Sequence, residues 1–143
     1  MDIVIAAAQR AADEGEVPVA AAITDPDGQI IVVRQNRMRR DSKATNHAEL
    51  LALHDAMKIT GKSCLHGFDL WVSLEPCTMC AGAIAHARIR RLYFAATDKK
   101  GGAVESGVRF FDAPTCHHKP EIYGGIQAAK ATLMLKEFFA ARR

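Results

Sequence analysis

What this chain lacks narrows the field before any motif is read. It has only four cysteines in 143 residues. It has no apolar stretch approaching the roughly 20 residues of a membrane-spanning helix. It shows no internal repeat, no low-complexity tract and no shift in composition that would mark a linker. The N-terminal segment MDIVIAAAQRAADEGE has no basic n-region, and its apolar run breaks at Gln9-Arg10, so it does not read as a signal peptide. Together these absences imply a single domain over residues 1–143 with no membrane partner. The expected compartment is the cytoplasm, where disulfides rarely persist. A chain of this length buries about two-thirds of its unfolded surface, so it needs neither a metal nor a disulfide merely to fold.

Against that background two of the cysteines stand out. Cys77 and Cys80 sit in the stretch LEPCTMC. The C-x-x-C spacing alone serves a redox dithiol, a structural metal staple or a catalytic metal site equally well. The net charge of +3 is likewise unevenly spread. RMRR at 37–40 with Lys43, RIRR at 88–91, DKK at 98–100 and a terminal Arg142-Arg143 hold most of the basic residues. Such runs are usually solvated surface; the competing reading is a footprint for phosphates.

The periodicity sets these residues in order. Helical spacing covers 2–14 and ends at Gly15, and two β-type runs flank the turn Asp25-Pro26-Asp27-Gly28 as a hairpin. A helix follows over 47–57, stopping before Gly61, then a strand over 68–74 closed by Pro76, a residue suited to a helix's first turn. Residues 78–87 form that helix, rich in small residues that permit close packing. A strand over 91–97, a glycine-rich loop at 101–107, a short strand near 121–123 and a closing amphipathic helix over 126–143 complete the chain. Strands alternating with helices predict an α/β layered domain.

Two cysteines at i and i+3 on a helix's first turn share one face. The partial positive charge of the helix end favours their thiolate forms. They make half of a zinc site. The best third ligand is His47 in TNHAEL, at the start of the preceding helix. A His-Cys-Cys set leaves one tetrahedral position open, which is the mark of a catalytic site. Glu49, two residues after His47, then serves as the proton shuttle rather than as a ligand. Taken singly, His47 is an ordinary residue at a helix start and Glu49 an ordinary first-turn acid. Together, H-x-E followed by P-C-x-x-C is the signature of the zinc nucleobase deaminases.

At these residues the chain resembles the cytidine/deoxycytidylate deaminase superfamily, and within it the bacterial tRNA-specific adenosine deaminases. EVPVAAAI resembles that family's first strand, Asn36 precedes His47 at the family's spacing, and LEPCTMCAGAIAHARIRRLYFAATDKKGGAVES runs like its central block. CHHKPEIYGGI and FFAARR resemble its last strand and last helix. The resemblance implies a three-layer α/β/α cytidine-deaminase-like fold with a five-stranded mixed sheet, one Zn2+ per subunit, and a homodimer. It implies zinc on His47, Cys77 and Cys80, with Glu49 as catalytic acid/base. Asn36 would bind the base, with the backbone around Ala48 and Glu75 also on the substrate. Asp98, Lys99 and Lys100 would lie beside the RNA backbone, as would Phe139, Arg142 and Arg143. The implied reaction is hydrolytic: water adds to the amine-bearing carbon, Glu49 protonates the leaving nitrogen and ammonia departs.

Two departures keep a second substrate class in view. Lys43-Ala44-Thr45-Asn46 stands where the family writes Asp-Pro-Thr-Ala, and Asn46 either adds a donor and an acceptor near the pocket or caps the helix. Ala20 stands where the family has glycine, on the strand expected to line the pocket. The expectations are therefore a wobble-adenosine deaminase acting on a tRNA anticodon loop, or a deaminase of a free nucleobase or nucleoside. A non-catalytic zinc-bearing RNA-binding module is the third, and Glu49 argues against it. Cys116, His117 and His118 are expected to form no second metal site, and Cys64, His54, His66 and His86 to be structural or surface residues.

Overall fold

The short β-type runs pair into one sheet of order β2-β1-β3-β4-β5, and the computed structural model describes all residues 1–143. Strand β1 (Ala20–Thr24) lies antiparallel to β2 (Ile30–Gln35) and to β3 (Asp69–Leu74), while β4 (Arg91–Ala96) and β5 (Glu121–Tyr123) join in parallel. The sheet is mixed, as the family resemblance implies. The hairpin turn is made by Asp25, whose carboxylate accepts the N–H of Asp27 and Gln29, and by Gly28, whose φ of 83° favours a residue without Cβ.

Side-chain alternation along β1 shows how the layers form. Ala21 and Ile23 point into a cluster of 21 buried residues shared with α3 (Ala48–Thr60) and α4 (Thr78–His86). Ala20 and Ala22 point the other way, onto Val4, Ala7 and Ala8 of α1 (Asp2–Asp13) and Met134 of α5 (Ala128–Ala140). The Ala20 methyl therefore faces α1. Both faces are covered, so β1 is buried along its whole length. Phe94 in β4 is fully buried, which stabilises the fold by about 1.5–3 kcal/mol. A Cβ at Gly124 would stand 2.5 Å from the Phe94 ring, so that position accepts glycine alone.

Two helix boundaries and two short elements differ from the sequence reading. Helix α3 continues to Thr60 before Gly61, at φ 68°, ends it in the left-handed region. Helix α5 begins only at Ala128, because Gly125 and Gln127 both adopt left-handed conformations. A single turn, α2 (Met38–Asp41), and a 3₁₀ turn at Phe110–Asp112 have no periodic signature to read. The buried Glu16 holds α2 in place by accepting the N–H of Arg39 and Arg40.

This topology creates the site. The carboxyl ends of β3 and β4 bring Leu74, Glu75, Ala96 and Thr97 to one edge, where the N-termini of α3 and α4 also arrive. In open α/β sheets that edge is where ligands bind.

Candidate active site

His47 and Cys77 occupy the same place on two different helices. Each is the N-cap, in extended conformation, of α3 and α4 respectively, with no side-chain cap bond of its own. Cys77 thus stands just outside the helix rather than on its first turn, and Cys80 lies one turn in, fully buried. His47 Nδ1 is 3.5 Å from Cys80 Sγ and 3.7 Å from Cys77 Sγ. Tetrahedral bonds of ordinary zinc length give a nitrogen–sulfur separation of about 3.6 Å. The ligand atoms lie within 4.8 Å of one another, and no other set of three His, Cys, Asp or Glu converges in this way.

Glu49 supplies the second sign that a cation belongs here. It is 3% exposed, and its Oε2 is buried with no hydrogen-bond partner. Buried polar atoms are normally satisfied, and an orphaned carboxylate oxygen calls for a nearby positive charge or a proton. Burial pushes the Glu49 carboxyl up to about 7. The sulfurs are driven apart: the hydrogen bond from Cys80 holds Cys77 down at about 4, while the same bond, together with burial, raises Cys80. A divalent cation acts on both in one direction, favouring two thiolates. Donor types, spacing and the orphaned oxygen all fit zinc.

His47, Glu49 and Cys77 line one open cavity of about 1110 Å3, with Cys80 buried behind them. Asn36 is on its wall, buried, with Oδ1 accepting the Ala48 N–H at 2.8 Å. Ala48 is itself fully buried and absent from the lining, its N–H already taken. Asn46 also does not line it and is not the cap of α3. Its Nδ2 donates to Asp41 Oδ2 at 2.8 Å, its carbonyl accepts the Arg37 N–H, and Arg37 grips the same Asp41 carboxylate. Asn46 fastens the loop in front of His47. Glu75 and Asp98 do line the cavity, but the Glu75 carboxylate is taken up by backbone donors of the loop over 98–106, and Asp98 Oδ1 accepts the N–H of Lys100 and Gly101.

Beyond the buried end, the cavity opens between Lys100 and the C-terminal helix. Phe139, Arg142 and Arg143 line it, and Lys99 stands exposed beside it. The sequence reading missed Thr132, Leu135 and Lys136, which line the same wall. Their signal is visible afterwards. Positions 132, 135, 136 and 139 fall at i, i+3, i+4 and i+7, a helical stripe beside the core-facing Ala131, Met134 and Phe138.

In the runs over 37–43 and 88–91, four arginines are paired with carboxylates, while Lys43 and Arg88 are not. Arg37 is paired with Asp41, Arg40 with Glu14, Arg90 with Asp69 and Arg91 with Glu121, and Arg39 donates to the Gly15 carbonyl. Lys99, Lys100, Lys136, Arg142 and Arg143 form no salt bridge. Arg142 instead lies 3.5 Å over the Phe138 ring. In the CHHK segment, the His118 ring bonds the Ile89 carbonyl, the His117 ring meets the His86 ring, and the His117 carbonyl accepts from Arg88.

Comparison with known proteins gives this geometry a family. Residues 1–96 match the cytidine and deoxycytidylate deaminase zinc-binding region. Over 143 residues, the whole of this chain and 93% of the relative, the sequence is 47% identical to a tRNA-specific adenosine deaminase of Agrobacterium fabrum. It is 46% identical over 128 residues to one of Rickettsia felis, covering 89% of each. A solved structure from a study of A-to-I editing by tRNA:A34 deaminases superposes with a TM-score of 0.92 at 47% identity, covering 94% of this chain and 97% of that one. A guanine deaminase from Nitrosomonas europaea, at TM-score 0.84 and 22% identity over 97% of this chain and 82% of its own, shares the fold.

Proposed function

The chain belongs to the cytidine and deoxycytidylate deaminase family, and from that premise we propose that it is a zinc-dependent hydrolytic deaminase converting the wobble adenosine of a tRNA anticodon loop to inosine. One observation carries the substrate reading: a single cavity runs from His47, Glu49 and Cys77 to a rim of Lys100, Lys136, Arg142 and Arg143 that has no acidic partner. Its volume of about 1110 Å3 exceeds the roughly 300–1,000 Å3 of ordinary small-molecule pockets. A free base fills only the buried end and has no use for unpaired cations. A flipped nucleotide carries phosphates that require them.

Zinc held by His47, Cys77 and Cys80 supplies Lewis acidity, lowering the pKa of water far enough to make it a nucleophile near neutral pH. The remaining work falls to side chains. Glu49 takes the water proton at its uncommitted oxygen as the carbon–oxygen bond forms, then delivers it to the amino nitrogen. The carbon–nitrogen bond breaks and ammonia leaves; the proton still on the new oxygen passes to the adjacent ring nitrogen, so the base keeps a carbonyl. Asn36, its Oδ1 fixed by Ala48, offers Nδ2 as a donor to an acceptor on the base. Val17, Val19 and Leu74 line the cavity with apolar walls for the ring. Phe139, 48% exposed on the rim, offers a face for a neighbouring base. Lys99, Lys100, Lys136, Arg142 and Arg143 take phosphates.

The free-base reading draws on Asn46, on the lost Asp-Pro-Thr before it and on Ala20; the Asn46 side chain is committed to Asp41 and the Ala20 methyl faces α1. The test is inosine and ammonia release by the zinc-loaded protein from an anticodon stem-loop with adenine at the wobble position, beside free cytosine, guanine, adenine and their nucleosides. Turnover is expected from the RNA alone. At subsaturating RNA it should fall steeply between about 50 and 200 mM salt. Turnover of a free base with inert RNA would overturn the reading. A second copy of this chain is the expected partner and the cytoplasm the expected compartment; sedimentation velocity that returns only the monomer mass would remove the dimer. No helix of the chain is long and apolar enough to cross a membrane.

A further inference from the structure

Glu75 sits two residues before a metal ligand, lines the cavity and is only 2% exposed, yet its carboxylate has nothing left to give a substrate. Oε1 accepts the N–H of Val104 at 3.2 Å, of Glu105 at 2.8 Å and of Ser106 at 2.8 Å. Oε2 accepts the Asp98 N–H and the Ser106 hydroxyl, each at 2.9 Å. An ionised carboxylate offers about four lone-pair sites, so five donors saturate it.

The loop is wrapped around this one group. Gly102 passes so close that a Cβ there would stand 2.5 Å from the Glu75 carboxyl carbon and 2.4 Å from the Asp98 carbonyl oxygen. The same loop is stitched to the residues that follow Glu75: the Ala103 N–H donates to the Pro76 carbonyl at 2.9 Å, and Gly102 forms a β-bridge with Cys77. Asp98, held by Glu75, in turn accepts the N–H of Lys100 and Gly101. The chain of contacts runs from the metal-bearing helix through Glu75 to Asp98 and on to the Lys99-Lys100 turn, whose side chains are exposed and unpaired.

We propose that Glu75 is a positioning residue for RNA. By gathering the loop over 98–106 around its carboxylate, it holds Lys99 and Lys100 at a fixed offset from the metal centre, so that the backbone phosphates are gripped in register with the flipped base. This rests on the tRNA reading above. Free chain ends and flexible lysines cannot hold such an offset by themselves. Charge-assisted bonds to four backbone amides can.

The test compares zinc-loaded full-length wild type, Glu75→Gln, Lys99→Ala/Lys100→Ala and their combination. Glutamine keeps the size of the side chain but turns one acceptor into a donor facing donors. The readout is stem-loop binding against salt. Each lost phosphate contact lowers the slope of log K against log salt by about 0.7–0.9, so the lysine pair should lower it by roughly 1.4–1.8. Glu75→Gln should produce the same loss with zinc stoichiometry unchanged. Adding the lysine changes to Glu75→Gln should then have no further effect, and KM for the RNA should rise far more than kcat falls. A wild-type slope in Glu75→Gln, or a full additional loss when the lysines are also removed, would overturn the proposal and leave Glu75 a merely structural group. If Glu75→Gln does not fold, Ser106→Ala removes one donor to the same carboxylate. It should shift the slope in the same direction, and an unchanged slope there overturns the proposal too. Wild type that shows no salt-dependent RNA binding would instead bring down the tRNA reading, and this proposal with it.

Discussion

Zinc-loaded Glu49→Gln protein should deaminate the wobble-adenosine stem-loop about 10³-fold or more slowly than wild type, near the upper part of the range for general acid–base catalysis. The size follows from how few acids the cavity has to offer. Glu49, Glu75 and Asp98 are its only carboxylates. Glu75 is saturated by its loop, and Asp98 is engaged with its own turn. Glu49 alone keeps a buried, unpartnered oxygen beside the His-Cys-Cys set. A glutamine there retains the shape and cannot carry a proton between water and the leaving nitrogen. The measurement is single-turnover inosine formation, with metal content and circular dichroism on the same sample. A rate within tenfold of wild type, with zinc still bound, would remove Glu49 from the mechanism.

Cys80→Ser should have an effect of similar size by a different route. Loss of a ligand's supporting partner already weakens metal sites by about 10- to 100-fold, so replacing a direct thiolate ligand should weaken zinc binding by more than about 100-fold. Turnover should vanish at metal concentrations that saturate wild type, and excess zinc should restore part of it. Chelation of wild type should do the same, reversibly. Neither treatment should unfold the chain, because the main core cluster packs β1, β3 and β4 on α3 and α4 without using the ligand side chains. The protein should instead lose the linkage contribution of the bound ion, about 2.7 kcal/mol at a hundredfold excess over the dissociation constant, seen as a lower Tm. Full activity after stoichiometric removal of zinc would defeat the metal assignment, and global unfolding on chelation would show the ion to be structural.

Some of this was legible because the chemistry demands rare residues at short spacing. His47, Glu49, Cys77 and Cys80 announce themselves, since a soft divalent ion needs thiolate and imidazole and a hydrolytic site needs an acid beside it. The glycine and proline that punctuate two of the helices were legible for the same local reason. Gly61 ends α3 and Pro76 precedes α4 just where the turn chemistry asks. Asn46 was not legible. Its type suits a cap, a pocket donor or a loop clasp equally, and only the approach of Asp41 selects the last. The charge runs were equally mute. Arg90 and Arg91 look like Lys99 and Lys100 in a sequence, but Asp69 and Glu121, each at least 21 residues away, consume the first two and leave the others free.

By itself, then, the amino-acid sequence determined the alternation of strands and helices, the four residues of the metal centre and its acid, and the reaction class they imply. These depend on residue type and on neighbours within a few positions along the chain. Only the tertiary structure decided that Glu75 holds a loop rather than a substrate, that Lys136 and Leu135 belong to the cavity wall, and which cations remain unpaired. Glu75 meets its loop across 23 to 31 residues of chain, and Arg90 and Arg91 meet Asp69 and Glu121 across 21 and 30. Burial, carboxylate saturation and charge pairing are properties of what packs around a group, and that is set when the sheet brings distant segments to one edge.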